Sequence, residues 1–221
     1  VRPHVILTVP LLIEKIYKAA VLPTLRDNPK ISKLYKNPLT KWIVLKTVKA
    51  KLISTMGGCM KFFGIGGAPL DSTVWDFLYS CHFPYALGYG LTETSPLIAG
   101  CGPKHKMHKK GYIGKPVKHD DVILLDKNEE GVGEIAVKGP NVMTGYYNNE
   151  ELNKEVFTPE GYFKTGDLGY IDKHGYLSIR GRVKTMILGP AGENIYPESI
   201  ESIINNMEFV QESLVVPGDG G

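Results

Sequence analysis

The sequence predicts an α/β fold in three parts: a partial parallel α/β layer over residues 1–100, a small, mainly antiparallel β-barrel-like sheet over 101–181, and the start of an α+β unit over 182–221. Three observations carry this. In the first hundred residues short apolar runs alternate with helical periodicity, and loops follow the strand ends, as in a parallel layer. Beyond about residue 100, strand-like pieces are separated by turn clusters. After Arg182 the sequence of strand, loop and helix returns.

Val5–Val9 is a short apolar run that reads as a buried strand. Pro10 suits the first position of a helix, and Leu12, Ile16 and Ala19 continue it at helical spacing. Pro23, Asn28, Pro29, Asn37 and Pro38 punctuate short helices and turns. Trp42, Leu45, Lys46, Lys49, Leu52 and Ile53 mark an amphipathic helix ending near Gly57 and Gly58. Lys61–Ile65 reads as a strand running into the glycine-rich loop Gly66–Pro69, and Asp71 or Ser72 caps the helix that follows. Pro84–Leu87 is another strand. Val122–Leu125, Gly133–Val137 and Tyr176–Ile179 are strands, with hairpin-type turns at Asp126–Gly131 and Asp172–Gly175. Thr185–Leu188 is a strand, a helix is expected from about Pro197 to Asn206, and Val210–Val216 begins another strand that breaks off in mid-domain at Gly221.

No run of about 18 apolar residues exists, so no transmembrane helix is expected, and no basic-then-apolar signal layout opens the chain. The three cysteines are odd in number and widely spaced, which argues for reduced thiols in a cytoplasmic protein. Charge is asymmetric: residues 1–61 hold twelve Lys/Arg against two acids, and residues 62–221 hold fourteen against twenty-one. The basic part is either a solvated helix face or a peripheral contact with an anionic membrane surface. Nucleic acid is excluded as the better partner, because no aromatic-interleaved basic motif accompanies the lysines.

Three strings carry chemistry: Gly88–Pro96 (GYGLTETSP), Gly161–Asp167 (GYFKTGD) and Gly181–Lys184 (GRVK), the last followed by Gly192–Pro197 (GENIYP). Tyr89 offers a flat face for stacking on a base. Thr92 has a hydroxyl that reaches a phosphate oxygen, and Glu93 is a hard oxygen ligand suited to Mg²⁺. Asp167 follows a turn glycine, so its carboxylate is expected at a loop, where it accepts from ribose hydroxyls. Arg182 supplies a planar donor fork. Cys101, His105 and His108 read as loop residues before they read as zinc ligands, and Asp126–Gly131 lacks the final acid of a calcium loop, since Val137 stands there. No Gly-x-Ser-x-Gly elbow exists.

In this order, these strings resemble the adenylate-forming superfamily of acyl-CoA synthetases, adenylation domains and luciferases. The opening segment Arg2–Tyr17 and the basic helical stretch before Gly66–Leu70 resemble its long-chain fatty acid–CoA ligase branch. The resemblance implies ATP, Mg²⁺ and coenzyme A, with a fatty acid made into acyl-AMP and then acyl-CoA. It implies that Gly67, Ala68 and Pro69 line the adenine and acyl-phosphate edge, Tyr89 stacks on adenine, Thr92 meets the α-phosphate, Glu93 holds Mg²⁺, and Asp167 and Arg182 bind ribose. Lys184 takes the hinge position of a mobile C-terminal domain, and Gly192 and Glu193 lie in the loop used in the CoA phase. Leu87 departs from the pattern, standing where relatives often carry a polar residue. The superfamily's Ser/Thr- and Gly-rich phosphate loop and its C-terminal lysine match nothing in residues 1–221, so this chain by itself is expected to be inactive. The alternatives are a ligase that hands its acyl or aryl group to a carrier protein, and a nucleotide-binding module without catalysis.

Overall fold

In the computed structural model, residues 1–189, 193–205, 207 and 209–218 are described. They divide into two units: residues 1–88 with 101–110, and residues 89–100 with 111 onward.

The first unit is the parallel layer. Strand β1 (Val5–Thr8) pairs in parallel with β2 (Phe62–Gly66), which pairs in parallel with β3 (Tyr85–Tyr89). Pro10 opens α1 (Pro10–Ile16), a π-turn over Tyr17–Val21 follows, and α2 (Leu22–Arg26) and α3 (Pro29–Lys36) complete the first connection with α4 (Pro38–Thr55). Asn28 and Asn37 cap α3 and α4 by accepting from Lys30 N at 3.1 Å and Leu39 N at 3.0 Å, which explains why each Asn-Pro pair starts a helix. Asp71 caps α5 (Ser72–Ser80), its Oδ1 accepting from Thr73 N at 2.8 Å and Val74 N at 3.0 Å. The core is filled by Ile13 and Tyr17, by Val44, Leu45, Val48 and Leu52 of α4, by Phe63 of β2, and by Val74, Phe77 and Leu78 of α5. Trp42 marks the helix but not its buried face: it is 59% exposed.

The second unit is β-rich. Strands β4 (Ala99–Gly100) and β5 (Lys115–Pro116) form a short antiparallel pair. Strands β6 (Asp121–Leu125), β7 (Gly133–Lys138), β8 (Phe163–Ile171) and β9 (Leu177–Arg182) form an antiparallel sheet in that order, with α6 (Glu150–Val156) between β7 and β8. Among the described residues this sheet is open and does not close into a barrel. The β8–β9 turn is held by Asp172 Oδ1, which accepts from His174 N and Tyr176 N, both at 2.8 Å. Ile98, Ala99, Ile135, Val137, Phe163 and Leu177 make the core.

The strands β10 (Ile187–Leu188) and β11 (Asn194–Ile195) pair antiparallel ahead of α7 (Pro197–Ile204). The helix stops two residues short of Asn206, which lies outside the described residues. The strand expected over Val210–Val216 does not form. Val215 N donates to Glu201 Oε1 at 2.8 Å, so a carboxylate of α7 takes a donor that a neighbouring strand would have used.

Candidate nucleotide site

Tyr89, the last residue of β3, opens the second unit, and the chain turns back on itself at once. A Cβ on Gly90 would lie 1.7 Å from the Pro96 carbonyl oxygen and 2.9 Å from Ile98 N. Only glycine allows that approach. The returning strand then donates Ile98 N to Tyr89 O at 2.8 Å. Between them Thr92–Thr94 makes one 3₁₀ turn. The buried Thr94 hydroxyl holds the turn, donating to Pro96 O (2.9 Å) and accepting from Leu91 N (3.0 Å). This leaves the Thr92 side chain exposed and Glu93 half-buried.

Asp167 does not sit in a loop. It lies inside β8, beside a β-bulge, where the register pairs it directly with Arg182 of β9. The turn glycine is real in a different sense: Gly166 takes φ +73°, a left-handed bend within the strand that an L side chain resists. Gly166 N donates to Glu134 Oε1 at 3.0 Å, and Asp167 N to Thr165 Oγ1 at 3.1 Å, so the bend is pinned. Cross-strand pairing brings the Arg182 Nε to 3.0 Å from Asp167 Oδ1. The Tyr89 hydroxyl donates to Asp167 Oδ2 at 2.8 Å. Aromatic ring, carboxylate and guanidinium therefore converge.

The electrostatics follow from unequal burial. The Asp167 side chain is 13% exposed and that of Arg182 is 57% exposed, so the guanidinium keeps an open edge while the carboxylate is nearly enclosed. Burial raises the Asp167 carboxyl above its ordinary value, against the lowering pull of the Tyr89 bond and of Arg182, and Glu198 adds a further upward push. Tyr89 is raised as well, by burial and then by the Asp167 charge, so its phenol stays a donor.

Sequence reasoning missed Tyr146. Its hydroxyl donates to Glu93 Oε1 at 2.9 Å, while Met143 N donates to Glu93 O at 2.8 Å. Asn141 reaches the same turn, donating from Nδ2 to Thr94 O (2.8 Å) and Leu97 O (2.9 Å). The segment is itself braced by Asn153, which accepts from Tyr146 N at 2.7 Å and donates to Tyr146 O at 2.9 Å. Nothing in the local string Asn141–Tyr147 pairs it with Glu93 by spacing; the contact is tertiary.

Gly67, Ala68 and Pro69 are exposed after β2 in the first unit, with Gly67 at φ +85°. Leu87 is buried in that unit. Lys184 is exposed in the turn after β9, and Glu193 leads into β11, its carbonyl accepting from Gly189 N at 2.8 Å. Gly192 lies outside the described residues. Among the described residues, no three His, Cys, Asp or Glu side chains converge on a metal position; His108 Nε2 instead lies 2.8 Å from Gly102 O and 3.0 Å from Tyr85 O.

A family model described as AMP-binding enzyme matches residues 1–147. The chain belongs to the AMP-binding enzyme family, the adenylate-forming superfamily. A 2-succinylbenzoate–CoA ligase of Listeria innocua is 33% identical over 195 residues, 86% of this chain and 40% of that protein. A long-chain-fatty-acid–CoA ligase of Mycobacterium bovis is 35% identical over 171 residues, 77% of this chain and 27% of that protein. Among solved structures, the o-succinylbenzoate CoA synthetase of Bacillus subtilis in complex with its acyl-adenylate intermediate matches with TM-score 0.68 and 33% identity, over 80% of this chain and 37% of that one. The same synthetase has also been solved with ATP and magnesium, and with AMP. The chain spans about two fifths of the length of the first of these relatives. The likeness to the long-chain branch expected from the opening segment is thereby narrowed to the superfamily, since a 2-succinylbenzoate ligase matches over 86% of the chain and the long-chain ligase over 77%.

Proposed function

We propose that this chain is the nucleotide-gripping portion of an AMP-forming acid–CoA ligase. The observation that carries the reading is the meeting of Tyr89, Asp167 and Arg182. A base stacked on the Tyr89 ring places its ribose hydroxyls towards the Asp167 carboxylate, which accepts both, while the open edge of Arg182 donates to ribose or phosphate oxygens. Thr92, on the exposed side of the 3₁₀ turn, would donate to the α-phosphate. Glu93 would hold Mg²⁺. The donor set fits: this ion binds through one or two carboxylates plus water and phosphate, and Glu93 is a half-buried carboxylate whose Oε1 is oriented by Tyr146. When bound, the ion supplies charge neutralisation at the phosphates.

The chemistry runs in two steps. A carboxylate oxygen of the acid attacks the α-phosphorus of ATP, the bond to the bridging oxygen breaks, and pyrophosphate leaves with the electron pair. The CoA thiolate then attacks the acyl carbonyl, and AMP leaves. Following the superfamily resemblance, Gly67–Pro69 would line the adenine and acyl-phosphate edge. Residues 182–221 would belong to a C-terminal portion turning about Lys184, and Gly192 and Glu193 would serve the CoA step. Residues 1–221 alone are expected to bind nucleotide and form little acyl-AMP, because they hold no match to the phosphate loop or the lysine. That fails if the isolated chain forms acyl-AMP at the rate of a complete ligase.

For the acid, the relatives favour 2-succinylbenzoate. A long-chain fatty acid is the second reading, favoured by the mycobacterial relative. Pyrophosphate exchange by the full product of this reading frame, with the two acids side by side, decides: faster exchange with 2-succinylbenzoate supports the first, and faster exchange with palmitate supports the second. Exchange with neither acid, in a protein that binds AMP, would leave a binding module.

A further inference from the structure

Helix α4 buries one side and leaves the other uncovered. Val44, Leu45, Val48 and Leu52 face the core of the first unit. On the opposite side Leu39 is 82%, Trp42 59% and Ile43 48% exposed. These three stand at i, i+3 and i+4, so they share one face. Leu34 of α3, the helix packed beside α4, is exposed as well.

The charge around this apolar group is of one sign. Residues 29–55 hold seven lysines and no acid. Lys41 is engaged over the Tyr35 ring, 5.1 Å from its centroid, and Lys49 Nζ donates to His82 O, so both are committed within the unit. Lys30, Lys33, Lys36, Lys46 and Lys51 point to solvent. The exposed lysines that share α3 and α4 with Leu39, Trp42 and Ile43 suit an anionic bilayer, where the indole sits at the headgroup level and the ammonium groups reach lipid phosphates. Among the described residues no helix is long and apolar enough to cross a membrane.

We propose that the α3–α4 face docks peripherally on an anionic lipid bilayer, with Leu39, Trp42 and Ile43 entering the interface and the surrounding lysines binding headgroup phosphates. The chain has two tryptophans, and the other, Trp75, is half-buried with its Nε1 donating to Tyr85 Oη at 3.1 Å. A Trp75→Phe variant of the protein therefore reports on Trp42 alone. Vesicles of phosphatidylglycerol and phosphatidylcholine should shift Trp42 emission to the blue. Brominated acyl chains should quench it, pure phosphatidylcholine should do neither, and half-molar salt should release the protein. Lys33→Gln and Lys36→Gln should each weaken partitioning about fivefold, the equivalent of about 1 kcal/mol. Ile43→Ser should weaken it while leaving circular dichroism unchanged. Three results overturn the proposal: Trp42 emission unresponsive to anionic vesicles, equal partitioning onto neutral ones, or tight binding to an RNA oligonucleotide with no quenching by brominated lipid.

Discussion

Replacing Gly90 by alanine tests how the site is built. The added Cβ would stand 1.7 Å from the Pro96 carbonyl oxygen, whereas real contacts of this kind stay beyond 3.0 Å. Backbone must therefore retreat by more than an ångström. The two groups in the way are already committed: Pro96 O accepts from the buried Thr94 hydroxyl at 2.9 Å, and the Ile98 N–H donates to Tyr89 O at 2.8 Å. Losing a buried hydrogen bond and leaving its partner unsatisfied costs about 1–3 kcal/mol, so the pair predicts a loss of about 2–6 kcal/mol. Gly175→Ala is the control. Gly175 has φ +80° with open space where a Cβ would go, so it carries only the left-handed penalty of about 1–2 kcal/mol. Urea unfolding of both variants against the unmodified protein measures the two costs. The reasoning is refuted if Gly90→Ala unfolds within 0.5 kcal/mol of the unmodified protein, an order-of-magnitude margin for surface-like tolerance, or if the control is the more damaging change.

Further expectations follow from the same geometry. Tyr146→Phe removes the bond to Glu93 Oε1; because this phenol is only half-buried and water can replace it, the Mg²⁺ concentration needed for half-maximal pyrophosphate exchange by the full product of this reading frame should rise about two- to tenfold, and an unchanged Mg²⁺ dependence would remove Tyr146 from the site. AMP affinity should fall with decreasing pH around a midpoint above the ordinary carboxylate value of 3.8, because the raised Asp167 carboxyl accepts from ribose only when ionised. Asp167→Asn should abolish that titration. In stability the sign is opposite: the folded state holds this proton more tightly than the unfolded chain, so the contribution of Asp167 is fully present below the ordinary value and is lost as pH rises through the raised one. A pH series of urea unfolding should show this difference vanish in Asp167→Asn.

The parts of the fold that were legible in sequence are those fixed by local chemistry. Asn28 and Asn37 before prolines, Asp71 before α5, and Asp172 three residues before Gly175 each satisfy nearby backbone donors, and such contacts depend on spacing alone. What escaped was set by partners distant in the chain. Gly166 looks like a turn in the sequence, which puts Asp167 at a loop; the glycine does bend, yet the β7–β8 ladder absorbs the bend as an irregularity between Lys164 and Leu168, and Asp167 stays paired with Arg182 of β9. Trp42 belongs to the amphipathic pattern of α4, but the core takes the face of Val44, Leu45, Val48 and Leu52 and leaves Trp42 exposed. Val210–Val216 has strand-like composition, which does not form a strand without a neighbour to pair with. The identities of Tyr89, Asp167 and Arg182 are readable from their strings; the Asp167–Arg182 contact follows from the β8–β9 register, and Tyr89 joins it by a tertiary hydrogen bond. Tyr146 had no local signal at all.

The most direct trial compares equilibrium binding of AMP and 2′,3′-dideoxy-AMP by titration calorimetry, to the protein and to its Asp167→Ala variant. The convergence of ring, carboxylate and guanidinium predicts that the unmodified protein prefers AMP at least tenfold, about 1.4 kcal/mol, and that the preference disappears in the variant. Equal affinity of the unmodified protein for both nucleotides would contradict the account.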